Sequence, residues 1–287
     1  MKLHNQIKGF TLIEAIMVIV ITGILSVIVA LFMKQPVDAY IDSGRRAALT
    51  DEADTALRRI SRDIHKALPN SIRQADNQCI EFIPTKVGGR YRAAVDNAGG
   101  GDILDFSATD SSFDMFGLNG DLPSTQQIVA DDLIAIYNLG TVGSNAYEGD
   151  NTALVSSVTD NKHEATGTIY EDTITINATK PFPFASSNNR FHVIPGDEKI
   201  VSYVCNLTDH KLYRNSNYDN GDQCNVVGLT GTQSLLAQHV NNCSFIYSTD
   251  KQKQRDALVQ ITIQLRDESA QDETITLYHE AHINNSP

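Results

Sequence analysis

Residues 10–33, FTLIEAIMVIVITGILSVIVALFM, form an apolar run with a single charge, Glu14. As a helix rising about 1.5 Å per residue, the run spans roughly 36 Å, longer than a bilayer core of about 30 Å. A cleavable secretory signal has a shorter apolar region followed by a small-residue cleavage site. Here Met33 leads instead into Lys34-Gln35-Pro36, so the run reads as a retained anchor. Lys2 and Lys8 ahead of it hold the N-terminus in the cytoplasm by the positive-inside rule. An ordinary signal anchor explains the length and the flanking charges, but it leaves Glu14 unexplained. A carboxylate inside an apolar run is costly in lipid and persists where it has a partner or a function.

The helix is expected to continue past the apolar run, over residues 34–68, with a kink at Pro36. Tyr40, Ile41, Gly44, Ala48, Ala56, Leu57, Ile60, Ile64 and Ala67 recur at three- and four-residue intervals, which marks an amphipathic helix with one face against a core. Arg45, Arg46, Asp51, Glu52, Arg58, Arg59 and Arg62 fall largely on other faces. Pro69 and Asn70 are expected to end it.

From about Ile80 the pattern changes to short alternating runs between Gly-, Asn- and Asp-rich turns, which read as strands. Candidates are Cys79–Ile83, Asp102–Ser107, Thr168–Ile176, Lys199–Cys205 and Ser244–Tyr247, with Leu235–Val240 as a short helical turn. Ala257–Leu265 and Thr274–Ile283 predict a C-terminal antiparallel hairpin with one buried face. The expected fold is α+β, a long N-terminal helix, transmembrane then amphipathic, packed on antiparallel β-sheets. Cys79, Cys205, Cys224 and Cys243 form no C-x-x-C pair, which argues against zinc or a thioredoxin-like motif. In an exported chain they imply two disulfides, and of the possible pairings Cys205–Cys224, as close in sequence as any pair and stapling a polar loop, with Cys79–Cys243 is favoured.

The formal net charge is −12, from 23 basic and 35 acidic residues, and no basic run follows the helix, so nothing marks a nucleic-acid partner. His279 and His282, three apart on a strand, face opposite ways and make poor joint metal ligands. The segment Asn215-x-Asn217-x-Asp219-Asn220-Gly221-Asp222 resembles a calcium loop only faintly, with its glycine one place late and no spaced glutamate. Asp96–Asp102 lacks the lysine of a phosphate loop, and no G-x-S-x-G elbow or Cys/His pairing marks a nucleophile. The expectation is therefore no cofactor, no metal and no catalysis.

Lys8-Gly9-Phe10-Thr11-Leu12-Ile13-Glu14 resembles the processing signal of type IV pilins and of type II secretion pseudopilins. The resemblance implies that a prepilin peptidase cuts between Gly9 and Phe10 and methylates the new Phe10 amine. It places Glu14 where that family carries its assembly glutamate. It also divides the chain into a leader (1–9), a transmembrane and assembly helix (10–33), an amphipathic continuation (34–68) and a periplasmic β-rich domain (69–287). Glu14 of one subunit would neutralise the Phe10 amine of its neighbour, in a medium where unpaired charge is costly. On a plainer reading Glu14 serves only its own helix start, through the macrodipole.

The implied location is the inner membrane of a Gram-negative bacterium, single-pass with the N-terminus cytoplasmic, and then a pilus or pseudopilus. Implied partners are other pilins and minor pilins, the prepilin peptidase, an inner-membrane assembly platform and the lipid bilayer. Leu57–Ile64, Cys79–Arg92 and His282–Pro287 further resemble minor pilin-like components of mannose-sensitive haemagglutinin (MSHA) pilus biogenesis. The arrangement of Leu235–Tyr247 followed by two strands is similar to the J-type minor pseudopilins of type II secretion. A fibre-tip adhesin is a third reading, although the chain has no tryptophan and its scattered Tyr and Phe read as core.

Overall fold

A computed structural model describes residues 9–97, 99–162, 170–218, 231–249, 256–267 and 273–286. The chain divides into two units, Met1–Asp51 and Glu52–Pro287. Helix α1 (Leu12–Ile64) is continuous through Pro36. From Leu12 to Ile41 its apolar side chains are exposed, among them Tyr40 and Ile41.

In the second unit the last turns of α1 bury Ala53, Ala56, Leu57, Ile60 and Ile64. These positions lie on one stripe at three- and four-residue spacing. Each buried Leu or Ile contributes about 1.5–3 kcal/mol. The helix stops at Ile64, five residues before the expected Pro69. Its end tightens, as Lys66 and Ala67 donate to Asp63 and Ile64 carbonyls three residues back. The chain then leaves to pair, with the Leu68 N–H donating to the Ile83 carbonyl and Ala67 bridging Pro84.

The strands among the described residues begin with β1 (Arg73–Asp76), β2 (Cys79–Phe82), β3 (Val87–Arg90), β4 (Ser112–Phe116) and β5 (Leu133–Ala135). Next come β6 (Thr152–Lys162), β7 (Tyr170–Asn177), β8 (Arg190–Ile194), β9 (Val201–Asn206) and β10 (Lys211–Ser216). The last are β11 (Thr232–Ala237), β12 (Val240–Thr249), β13 (Asp256–Asp267) and β14 (Glu273–Asn284). They form three sheets, ordered β1-β2-β9-β10-β11, β12-β13-β14 and β3-β8-β5-β6-β7-β4, and every ladder is antiparallel. The six-stranded sheet curls on itself, because Tyr91, just after β3, bridges Met115 of β4. Its inner side holds a hydrophobic core, where Tyr91, Phe113 and Phe191 meet edge-on.

The structure is α+β, with the expected C-terminal hairpin formed by β13 and β14. Exposure alternates residue by residue along β14, so His279 faces the helix, its Nε2 3.0 Å from Ser61 Oγ, while His282 faces outward. Two expected elements differ. Residues 102–107 form no strand, because Asp110 accepts from the Asp105 N–H and Asp105 from Ser107, turns that compete with a ladder. Leu235–Val240 is no helical turn; Leu235 and Ala237 pair with Tyr213 and Leu212 of β10, and this pairing outweighs local propensity.

The expected disulfides are also corrected. Cys205 is bonded to Cys243, with Cα atoms 6.2 Å apart, which overturns both Cys205–Cys224 and Cys79–Cys243. Closeness in sequence was a poor guide: β9 and β12 belong to different sheets, and the bridge ties those sheets together. Cys79 is also disulfide-bonded, and Cys224 lies outside the described residues. With a sequence separation of 38, the Cys205–Cys243 bond stabilises by about 4 kcal/mol on the chain-entropy estimate. The double substitution Cys205→Ala/Cys243→Ala should therefore lower unfolding free energy by about 2–4 kcal/mol, read by urea denaturation.

Candidate functional site

The residues singled out in the sequence lie at the start of α1. Phe10 is 78% exposed and Leu12 80%. The most apolar stretch of the helix has a mean hydropathy of 3.0, and none of it is buried within the protein. An exposed apolar surface of this length marks a membrane or a partner.

The first turn has a specific local cause. Thr11 caps the helix, its Oγ1 accepting from the Glu14 N–H at 3.4 Å and its carbonyl from the Ala15 N–H at 3.2 Å. Thr11-Leu-Ile-Glu14 is thus a capping-box sequence, with the acidic residue in the first turn where the helix dipole favours it. The T-x-x-E spacing carried this signal, although the sequence reading used only the glutamate. Further along, Thr22 Oγ1 donates to the Val18 carbonyl at 2.7 Å, and Ser26 Oγ to the Thr22 carbonyl at 2.7 Å. These two hydroxyls are therefore satisfied by the helix itself, as a lipid environment requires.

The model of the prokaryotic N-terminal methylation motif matches residues 4–30. The match supports a type IV pilin-like protein. No curated protein and no solved structure matches the chain. The motif implies processing by a prepilin peptidase and assembly with other pilins, and it points to a structural subunit rather than an enzyme. An apolar N-terminal helix joined to antiparallel sheets fits a membrane-anchored pilin and a pilin-like fold.

Ionic groups that no sequence pattern announces hold the second unit together. Asp63, in the last turn of α1, accepts from Tyr203 Oη of β9 at 2.8 Å and from Arg214 Nε of β10 at 2.8 Å. Arg214 also donates to Glu198 at 2.7 Å, and Arg59 approaches Asp63 to 3.3 Å from the helix. A second buried carboxylate, Glu81, accepts from Arg73 at 2.5 Å and Tyr218 at 2.6 Å. A third, Glu171, takes Arg92 in a fork. The bonds of Asp63 to Tyr203 and Arg214, of Glu81 to Tyr218 and of Glu171 to Arg92 join residues far apart in sequence, which is why no local pattern shows them.

These are structural pairs. Among the described residues, no group of three or more His, Cys, Asp or Glu is placed to hold a metal. Of the faint calcium loop, Asn215 and Asn217 are described, and residues 219–222 lie outside the described residues.

The Asp63 clamp makes a pH prediction. Burial pushes its carboxyl up, but hydrogen bonds from Tyr203 and Arg214 and the charges of Arg214 and Arg59 outweigh it, holding Asp63 below its ordinary value. A depressed folded pKa contributes stability that is present above the unfolded value and lost as pH falls through the folded one. Asp63→Asn should cost about 2 kcal/mol at neutral pH by denaturant titration, and the gap to the parent should close below about pH 4.

Proposed function

We propose that this chain is a minor pilin or pseudopilin, a structural subunit needed to assemble a type IV pilus of the MSHA type, similar in character to the biogenesis component MshO. The observation that carries the reading is the run Lys8–Glu14 set directly against an uncovered apolar helix. Basic leader, glycine, phenylalanine and glutamate are all in place, and the methylation motif matches across them.

On this reading residues 1–9 are the leader, and cleavage between Gly9 and Phe10 creates a positive amine at the cytoplasmic edge of the inner membrane. The peptidase methylates it. Residues 10–33 cross the bilayer, and residues 69–287 form the periplasmic domain. When subunits gather on the inner-membrane platform, Glu14 of one neutralises the Phe10 amine of the next. Water is scarce there, so an unpaired carboxylate or ammonium carries a desolvation cost of several kcal/mol, and the wrong axial register leaves both unpaired. The pairing thus selects register as well as contributing attraction. Extraction from the bilayer is driven by a separate cytoplasmic ATPase. A minor pseudopilin of type II secretion would use the same residues in the same way, and the gene's deletion phenotype separates the two: loss of surface pili for one, loss of exoprotein release for the other.

Two outcomes test the reading. In the native host the N-terminal peptide should begin at N-methylated Phe10, and should begin at Met1 when the prepilin peptidase is absent. A Met1 start in both strains would leave a plain signal-anchored protein. Glu14→Leu should still be cut and methylated but should fall out of the sheared fibre fraction on immunoblot; normal incorporation would remove the pairing mechanism.

A further inference from the structure

The outer side of the six-stranded sheet carries a shallow concavity of about 370 Å³, lined by Gly88, Arg90, Phe116, Arg190 and His192 with Gly89 and Phe191 beneath. Phe191 and Val193 of β8 belong to the core, so by strand alternation Arg190 and His192 turn the other way. Arg90 and Arg190 are direct partners across β3 and β8. Residues so opposed stand roughly 4.5–5.5 Å apart at Cα, and like charges there repel. Among the described residues neither arginine has a carboxylate partner, whereas Arg73, Arg92 and Arg214 each have one or more. Two uncompensated guanidinium groups side by side are unusual on a chain of net charge −12.

The wall beside them is built as well. Phe116 is 48% exposed, and the Arg92 guanidinium lies 5.5 Å from its ring centroid, itself locked by Glu171. The ring is thus held from the protein side. A Cβ added at Gly88 would come within 3.1 Å of the Phe191 carbonyl and 3.6 Å of His192 Nδ1, on the floor between Arg90 and His192. Burial, then the charge of Arg190, push the His192 imidazole below its ordinary pKa, so it stays neutral at neutral pH and adds a hydrogen-bonding group rather than a third charge.

We propose that this concavity binds a carboxylate-bearing sugar of an anionic glycan, the carboxylate between Arg90 and Arg190 and the sugar ring against the free side of Phe116. The guanidinium pair offers the planar donor array that carboxylates take. The volume falls at the small end of ligand sites, which begin at about 300 Å³. An aspartate or glutamate side chain from a protein would engage the arginines and leave the concavity and the aromatic wall unfilled. Strand addition along β3 is also a poor occupant, because four residues offer few ladder bonds. The overall negative charge repels polyanions at a distance, so capture depends on the local pair rather than on a general field. This binding function is independent of N-terminal processing and assembly.

The test titrates the full-length protein, in neutral detergent, with a uronic acid trisaccharide, its methyl ester and hexaglutamate. The trisaccharide should bind saturably and more weakly as salt rises, with the ester and hexaglutamate at least about tenfold weaker. Arg90→Ala/Arg190→Ala and, separately, Phe116→Ala should each lower the trisaccharide's affinity about tenfold, while Arg58→Ala leaves it unchanged; far-UV circular dichroism confirms that each variant is folded. Absence of saturable trisaccharide binding, or binding indifferent to the arginine pair, would overturn the proposal. Equal binding of hexaglutamate would overturn it too, making the site a dock for an acidic protein segment.

Discussion

The apolar run at the start of α1 needs surroundings that its own chain does not supply. None of its most apolar stretch is buried within the protein. In water such a surface would drive aggregation; in lipid it is stable only as a helix, whose backbone satisfies itself. The local details agree. Thr11 caps the first turn, and Thr22 and Ser26 return their hydroxyls to helix carbonyls. Glu14 is the one side chain in the run for which lipid has no answer, which is why its chemistry dominates the functional reading.

The other end of the same helix belongs to the second unit and is held there by different forces. Ala53, Ala56, Leu57, Ile60 and Ile64 supply the apolar stripe, but apolar contact alone does not fix a helix's rotation or axial position. Asp63 does, because Tyr203 and Arg214 approach it from two neighbouring strands and only one placement satisfies both. The charges are expensive to bury and therefore intolerant of slippage, since a misplaced helix would leave Arg214 or Asp63 unpaired. The Cys205–Cys243 bond secures the neighbouring sheets covalently. In the proposed fibre any load on the helix would reach the β-rich unit through these contacts.

Strands were readable where one face is buried and the other wet. β13 and β14 alternate cleanly, and the pairing of Ala257 with Ile283 through Leu265 with Ile275 follows that pattern. Reading failed where tertiary partners overrode a local cue. Leu235 and Ala237 looked helical but lie against β10, and residues 102–107 looked like a strand but are held by aspartate-capped turns. The helix end was misplaced for a related reason: proline ends helices, yet Leu68 had already left to meet Ile83.

By itself the sequence determined the long apolar run, the amphipathic stripe, the succession of one helix and then strands with the C-terminal hairpin, and the resemblance of Lys8–Glu14 to a processing signal. All of these rest on contacts within a few residues or on the period of apolar side chains, which the chain carries wherever it goes. The tertiary structure alone decided which cysteines meet, which carboxylate receives Arg214, and that Arg90 and Arg190 face one another. Those pairings join positions far apart along the chain, and their proximity depends on strand order and register, which no local pattern encodes.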